Sequence, residues 1–149
     1  MRGSATAIGT FAGRNNQSTE AVSVGIYAGF TSQGTRAVAV GREAGQTSQG
    51  ASSVAIGNEA GKLLQGANAV AIGEFAGAEQ QAANSIILNA TGVALDNIVE
   101  DTFVVKPIRN QPGTTTLMYD AISGEITHAD LGIHYTDADV TALLNTNTA

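Results

Sequence analysis

The chain has 149 residues, enough for one compact domain or one rod of stacked units. It contains no cysteine, which excludes disulfides and thiolate metal or redox sites. Its 7 Lys and Arg against 13 Asp and Glu leave a net charge of -6, a balance that argues against nucleic acid as a partner.

No apolar run approaches the ~18 residues of a membrane span, so membrane insertion is not expected, and the amino terminus lacks the layout of a signal peptide. Charged residues are 13% of the chain, against ~25% in ordinary soluble domains. There are 25 Ala and 18 Gly. The β-branched content is nevertheless too high for a disordered chain. Such a composition suits a protein whose surfaces are covered by copies of itself.

Internal repetition is the strongest signal. Gly9, Gly25, Gly41, Gly57 and Gly73 lie sixteen apart, and so do Gly13, Gly29, Gly45, Gly61 and Gly77. Gln17, Gln33, Gln49, Gln65 and Gln81 form a further column. Ile8, Val24, Val40, Ile56 and Ile72 precede the first glycine of each copy. A degenerate sixth copy puts Ile86 and Leu88 in the apolar places and Asn89 in that of the glycine.

Sixteen residues are too few for a helix-pair repeat. Each copy carries a Val-x-Val or Val-x-Ile stretch with the period of a strand, closed by Gly, and a Gly-x-x-Ala-Gly corner. The prediction is an all-β fold, a parallel β-solenoid with one copy per rung. Equivalent residues would stack ~4.8 Å apart. The Gln column would form an amide ladder. With Val38 and Val40 facing inward, Ala37 and Ala39 face outward. Ala39, Ala55 and Ala71 then lie on an outer stripe of small residues, and become the candidates for contact with another chain.

After Leu95 the period stops. Phe103-Val104-Val105 reads as a strand ended by Pro107. Leu117 to Tyr119 and Glu125 to Thr127 read as a hairpin joined through Asp120 to Gly124. Thr136 and Asp139 give a capping signal for a short helix with Val140, Leu143 and Leu144 on one edge. A helix that short holds only as the start of a coiled coil.

Ser53-Val54-Ala55-Ile56-Gly57 and Ala69-Val70-Ala71-Ile72-Gly73 resemble the head repeats of trimeric autotransporter adhesins, which also occur in bacteriophage and large-virus fibres. That resemblance implies a left-handed β-roll and a homotrimer. Thr102 to Asn110, Leu117 to Asp120 and Ser123 to Thr127 resemble the segment after the shaft in phage and algal-virus tail fibres. His134 to Val140 and Leu144 to Ala149 are similar to a motif in structural proteins of marine cyanobacterial phages. Met1-Arg2-Gly3-Ser4 resembles a vector-derived leader.

The expected organisation is therefore a leader over 1–4, solenoid over 5–95, a β-rich neck over 96–132 and a short helix or coiled-coil start over 133–149. The resemblance implies a fibre segment of a virion, engaged in host attachment through a cell-surface receptor or glycan. The alternative is the head of a bacterial surface adhesin, and a third reading is a polysaccharide-cleaving spike.

Chemistry-bearing residues are sparse, and no catalytic, cofactor or metal residue is assigned. Glu43 and Glu59 share one repeat position, which puts two carboxylates on adjacent rungs near the spacing of a retaining glycosidase. Arg42 beside them favours a charge-relieved surface pair instead. Gly57 to Gly61 followed by Lys62 lacks the spacing of a phosphate loop, and the same glycines recur without the lysine. His128 and His134 have no nucleophile constellation around them. One His per chain on a three-fold axis would offer a metal three ligands, but a hydrogen-bonded His is the simpler reading. Phe11, Tyr27 and Phe75 occupy the position of Glu43 and Glu59. They are read as packing against the adjacent rung or a neighbouring chain, rather than as sugar platforms.

Overall fold

The structure, a computed structural model, describes residues 3–109 and 115–130. The chain divides into two compact units, Met1–Ile108 and Arg109–Ala149.

The first unit is built from short strands. In chain order they are β1 (Thr6–Ile8), β2 (Val22–Val24), β3 (Thr31–Gln33), β4 (Val38–Val40), β5 (Thr47–Gln49) and β6 (Val54–Ile56). There follow β7 (Leu64–Gln65), β8 (Val70–Ile72), β9 (Ala76–Gln81), β10 (Ile86–Asn89), β11 (Leu95–Asn97) and β12 (Phe103–Lys106). They form two parallel sheets, a seven-stranded one in the order β1-β2-β4-β6-β8-β10-β12 and a five-stranded one in the order β11-β9-β7-β5-β3. Successive coils contribute a strand such as Val38-Ala39-Val40 to the first sheet and one such as Thr47-Ser48-Gln49 to the second, while the first coil supplies β1 alone.

Register follows the repeat. Val22 pairs with Val38, Val38 with Val54, and Val54 with Val70. Gln33 pairs with Gln49, Gln49 with Gln65, and Gln65 with Gln81. The chain is thus a parallel β-solenoid of about six turns, and the described residues contain no helix.

The direction of the side chains is the reverse of the sequence expectation. Ala37, Ala39, Ala55, Ala69 and Ala71 are fully buried within the single chain, whereas Ile56 and Ile72 are each 40% exposed. Val38, Val40, Val54 and Val70 are half-buried on the outside. Ala39, Ala55 and Ala71 therefore line the interior and do not face another chain. The cause is steric. The interior is so narrow that a Cβ added at the corner residue Gly61 would sit 3.2 Å from the Ala55 methyl. Among the described residues the buried apolar side chains are eleven alanines and Ile87, and Val or Ile at the alanine positions would overfill the interior.

This interior supplies little hydrophobic stabilisation. An alanine methyl contributes about 0.8 kcal/mol, against about 1.5–3 kcal/mol for a whole buried Val or Ile side chain. Polar order fills the gap. Gln33 Nε2 donates to Gln49 Oε1 at 3.1 Å, Gln49 to Gln65 at 3.1 Å, and Gln65 to Gln81 at 3.0 Å. Each of these amides also donates to the carbonyl of the first residue of its own coil's strand in the seven-stranded sheet, as Gln49 does to Val38 O at 2.8 Å. The expected ladder exists and is an interior feature.

Corners repeat as strictly as strands. Gly41 has φ +132, and a Cβ there would lie 2.3 Å from the carbonyl oxygen of Gly57 on the next rung. Only glycine fits that approach. The corners also use left-handed residues that are not glycine, including Glu43 (φ 56) and Ser52 (φ 57), and Ser48 (φ 57) does so within β5.

The solenoid extends beyond the repeat. β12 joins the first sheet, pairing Ile86 with Phe103 and Asn89 with Lys106, so stacking runs past Leu95 to Lys106. In the degenerate copy Ile87 takes the interior place of Ala71. It packs with Leu95 and Val104 and fills the end of the core with larger side chains.

In the second unit, β13 (Thr115–Tyr119) and β14 (Ile126–Asp130) form the expected antiparallel hairpin, with Leu117 opposite His128 and Tyr119 opposite Ile126. Asp120 Oδ1 accepts the N–H groups of Ile122 at 2.7 Å and Ser123 at 3.2 Å. These backbone donors hold its carboxyl below the ordinary range. The helix expected over 133–149 lies outside the described residues.

Candidate interaction surface

The outer face of the seven-stranded sheet carries two files of side chains. One runs Thr6, Val22, Val38, Val54, Val70, Ile86 and Phe103. The other runs Ile8, Val24, Val40, Ile56, Ile72, Leu88 and Val105. Both exist because strand side chains alternate and the narrow interior takes the alanines. No charged residue stands in either file. Ile8, Ile56, Ile72, Ile86 and Phe103 are each at least 40% exposed. A contiguous apolar face of this kind is uncommon on a monomer.

The corner beside Gly41 and Gly57 carries the charge cluster. Arg42 bridges the carboxylates of Glu43 and Glu59. Lys62 Nζ lies 2.9 Å from each of the same two glutamates. Two cations thus neutralise two stacked anions in a closed square. The hydrogen bond from Lys62, with the help of Arg42, holds the Glu59 carboxyl below the ordinary range. The bonds of Lys62 to Glu43 first and to Glu59 raise its ammonium above its usual range. A retaining glycosidase needs one carboxyl raised to act as an acid, and the described bonds at Glu59 act in the opposite direction. The sequence pointed to Arg42 but not to Lys62, which enters from the loop after Gly61.

Phe11 and Tyr27 stack across rungs with ring centroids 5.1 Å apart, and Phe30 meets Tyr27 edge-on at 5.3 Å. The Arg14 guanidinium lies 4.7 Å above the Phe11 ring. These rings pack on the adjacent rung, one of the two places expected for them. Phe75 is half-buried at the same repeat position. Gly57 and Gly61 are corner residues, and Lys62 serves the ion cluster. His128 lies in β14, opposite Leu117, and His134 is outside the described residues. Among the described residues, no group of three His, Cys, Asp or Glu side chains is arranged to hold a metal ion.

The columns named from the sequence behave unequally. The glycines and glutamines come together in single files, Gly41 against Gly57 and Gln49 against Gln65. At the first link Ser23 intervenes: Gln17 Nε2 reaches Ser23 Oγ at 3.3 Å, and Ser23 donates to Gln33 Oε1 at 2.8 Å. No protein-family model, curated protein or solved structure matches this chain.

Proposed function

We propose that the chain is a shaft segment of a viral tail fibre that serves host attachment, assembled as a homotrimer through the outer face of the seven-stranded sheet. The observation that carries this reading is the pair of Val and Ile files left outside by an alanine core. Most of the bulky apolar side chains of the repeats are there, and a second and third copy would bury them. The virion assignment adds the likeness of the segments around Phe103, Leu117 and Ser123 to tail-fibre sequences.

The mechanism is mechanical. Backbone and amide ladders run along the axis and resist stretching. Burial of the outer files between copies opposes unfolding and proteolysis. Attachment would use a cell-surface receptor or glycan.

Light scattering on the purified chain tests the assembly. The expected mass is three times the chain mass of 15.1 kDa. Val54→Asp, which puts a charge into the proposed contact, should return the mass to that of one chain while the β-sheet circular dichroism persists. A native protein that scatters as a single chain would refute the trimer.

A further inference from the structure

We propose that the N-terminal end of the solenoid is a docking surface for one further rung, an extended segment of the repeat's own pattern that places an amide donor against Gln17 Oε1. The interior ladder has a direction. Each Gln sends Nε2 toward the next rung, so Gln49, Gln65 and Gln81 each accept from the rung before. Gln33 accepts from Ser23, the relay next to Gln17 Nε2. Gln17 holds the same place in the first rung. It is only 3% exposed, and its Oε1 is a buried acceptor with no partner among the described residues. Rotating the amide does not help, because Nε2 is needed for Thr6 O at 2.9 Å and Ala21 O at 3.3 Å. Buried acceptors left unpaired are costly and uncommon.

The backbone ladder donates in both directions, and some of its N–H groups face the rung before. Gly25 N–H donates to Ile8 O and Gly41 N–H to Val24 O, each on the rung before. Tyr27 N–H donates to Thr10 O, and Glu43 N–H to Ile26 O. Gly9 and Phe11 stand in these positions on the first rung, where no earlier rung is described. The end therefore presents the Gly9 and Phe11 donors and the Ala5 carbonyl, whose equivalents Ala21 O and Ala37 O accept from the rung before, at the edge, and one side-chain acceptor in the core.

A second copy does not complement that pattern. Its N-terminal end would oppose acceptor to acceptor. Its other end is closed by Ile87, Leu95 and Val104 and carries Asn97 in the ladder place, with its amide turned to Val99 O and Thr102 Oγ1. A rung-patterned segment supplies both the carbonyls for Gly9 and Phe11 and the amide for Gln17.

The test fuses a copy of Thr35–Gly50 directly ahead of Gly3, which sets the glutamine of the copy sixteen residues before Gln17. A second fusion carries Gln49→Leu in the added copy alone. Hydrogen exchange is read at the amides of Gly9 and Phe11, with Gly41 and Gly57 reporting the rest of the fold. In the glutamine fusion, exchange at Gly9 and Phe11 should slow by on the order of tenfold or more. The leucine fusion should lose roughly fivefold of that protection. Unchanged exchange at Gly9 and Phe11 would overturn the proposal. So would equal protection in the two fusions, or faster exchange at Gly41 and Gly57. The readout is independent of oligomeric state, so a monomeric mass would not decide it.

Discussion

Replacing Gln49 with leucine tests the interior ladder at its centre. The Gln49 side chain is 2% exposed and makes three hydrogen bonds: to Val38 O at 2.8 Å, to Gln65 Oε1 at 3.1 Å, and from Gln33 Nε2 at 3.1 Å. Leucine keeps the approximate volume and removes all three. Gln33 Nε2 retains Val22 O at 2.9 Å, so its loss is modest. Gln65 Oε1 loses its ladder donor inside the core. One orphaned acceptor costs about 1–3 kcal/mol and each lost bond about 1 kcal/mol, so Gln49→Leu should cost about 3 kcal/mol or more in all. Gln17→Leu provides the internal comparison. Gln17 Oε1 accepts from nothing described, and its removal orphans no glutamine beyond the Ser23 relay. Its cost should be clearly smaller. Urea unfolding followed by circular dichroism at fixed protein concentration gives both values. Equal losses for the two variants, or a Gln49→Leu cost under about 1 kcal/mol, would refute the reasoning that the amides form a directional buried chain.

Other substitutions probe other parts of the coil. Ala55→Val adds two methyl groups to the closed interior and should destabilise by about 1–3 kcal/mol in urea without changing the mass in light scattering. Gly41→Ala places a Cβ 2.3 Å from the Gly57 carbonyl oxygen at φ +132; backbone strain alone is on the order of 1–3 kcal/mol, and the clash adds to it, so the urea midpoint should fall further than for Ala55→Val. The ion cluster predicts a pH dependence. The Glu59 carboxyl is lowered in the fold, principally by its bond to Lys62, so its contribution is present above the unfolded carboxyl pKa and is lost as pH falls through the folded one. Thermal melts of Lys62→Met should therefore drop less than those of the native chain on acidification; identical acid limbs would show that the cluster is not coupled to folding.

Much of this fold could be read from the sequence because a solenoid makes equivalent positions meet equivalent surroundings. Gly41 must be glycine for the same reason as Gly25 and Gly57, and Gln33, Gln49 and Gln65 satisfy one another. The hairpin from Leu117 to Thr127 was legible through its Asp120 to Gly124 turn. Which side of the strand faces inward was not. Val38 and Ala39 are both apolar, and alternation fixes that they point apart without fixing which one points into the coil. That choice depends on the width between the two sheets, a property of the tertiary structure. Ser23, Ser53 and Ser85, standing in the alanine columns, carried a usable hint. Small polar residues there fit a narrow interior shared with an amide ladder: Ser23 Oγ bonds Gln33, and Ser53 Oγ bonds Gly50 O at 2.7 Å. The left-handed backbone at Glu43 and Ser52 left no sign in residue type. Nor did the continuation of the sheet into β12, which is offset by an extra residue from the repeat.

Pulsed electron spin resonance on paired labels tests the central claim, that the chain coils with one repeat per turn. Glu20, Arg36, Ser52, Asn68 and Asn84 are exposed residues at one repeat position. Labels at Glu20 and Asn84, diluted with unlabelled chain, span four rungs and should lie about 19 Å apart in a narrow distribution. Moving the second label to Asn68 should shorten that distance by about 5 Å, one rung spacing. A broad distribution, or distances that do not change in steps of one rung, would contradict the solenoid.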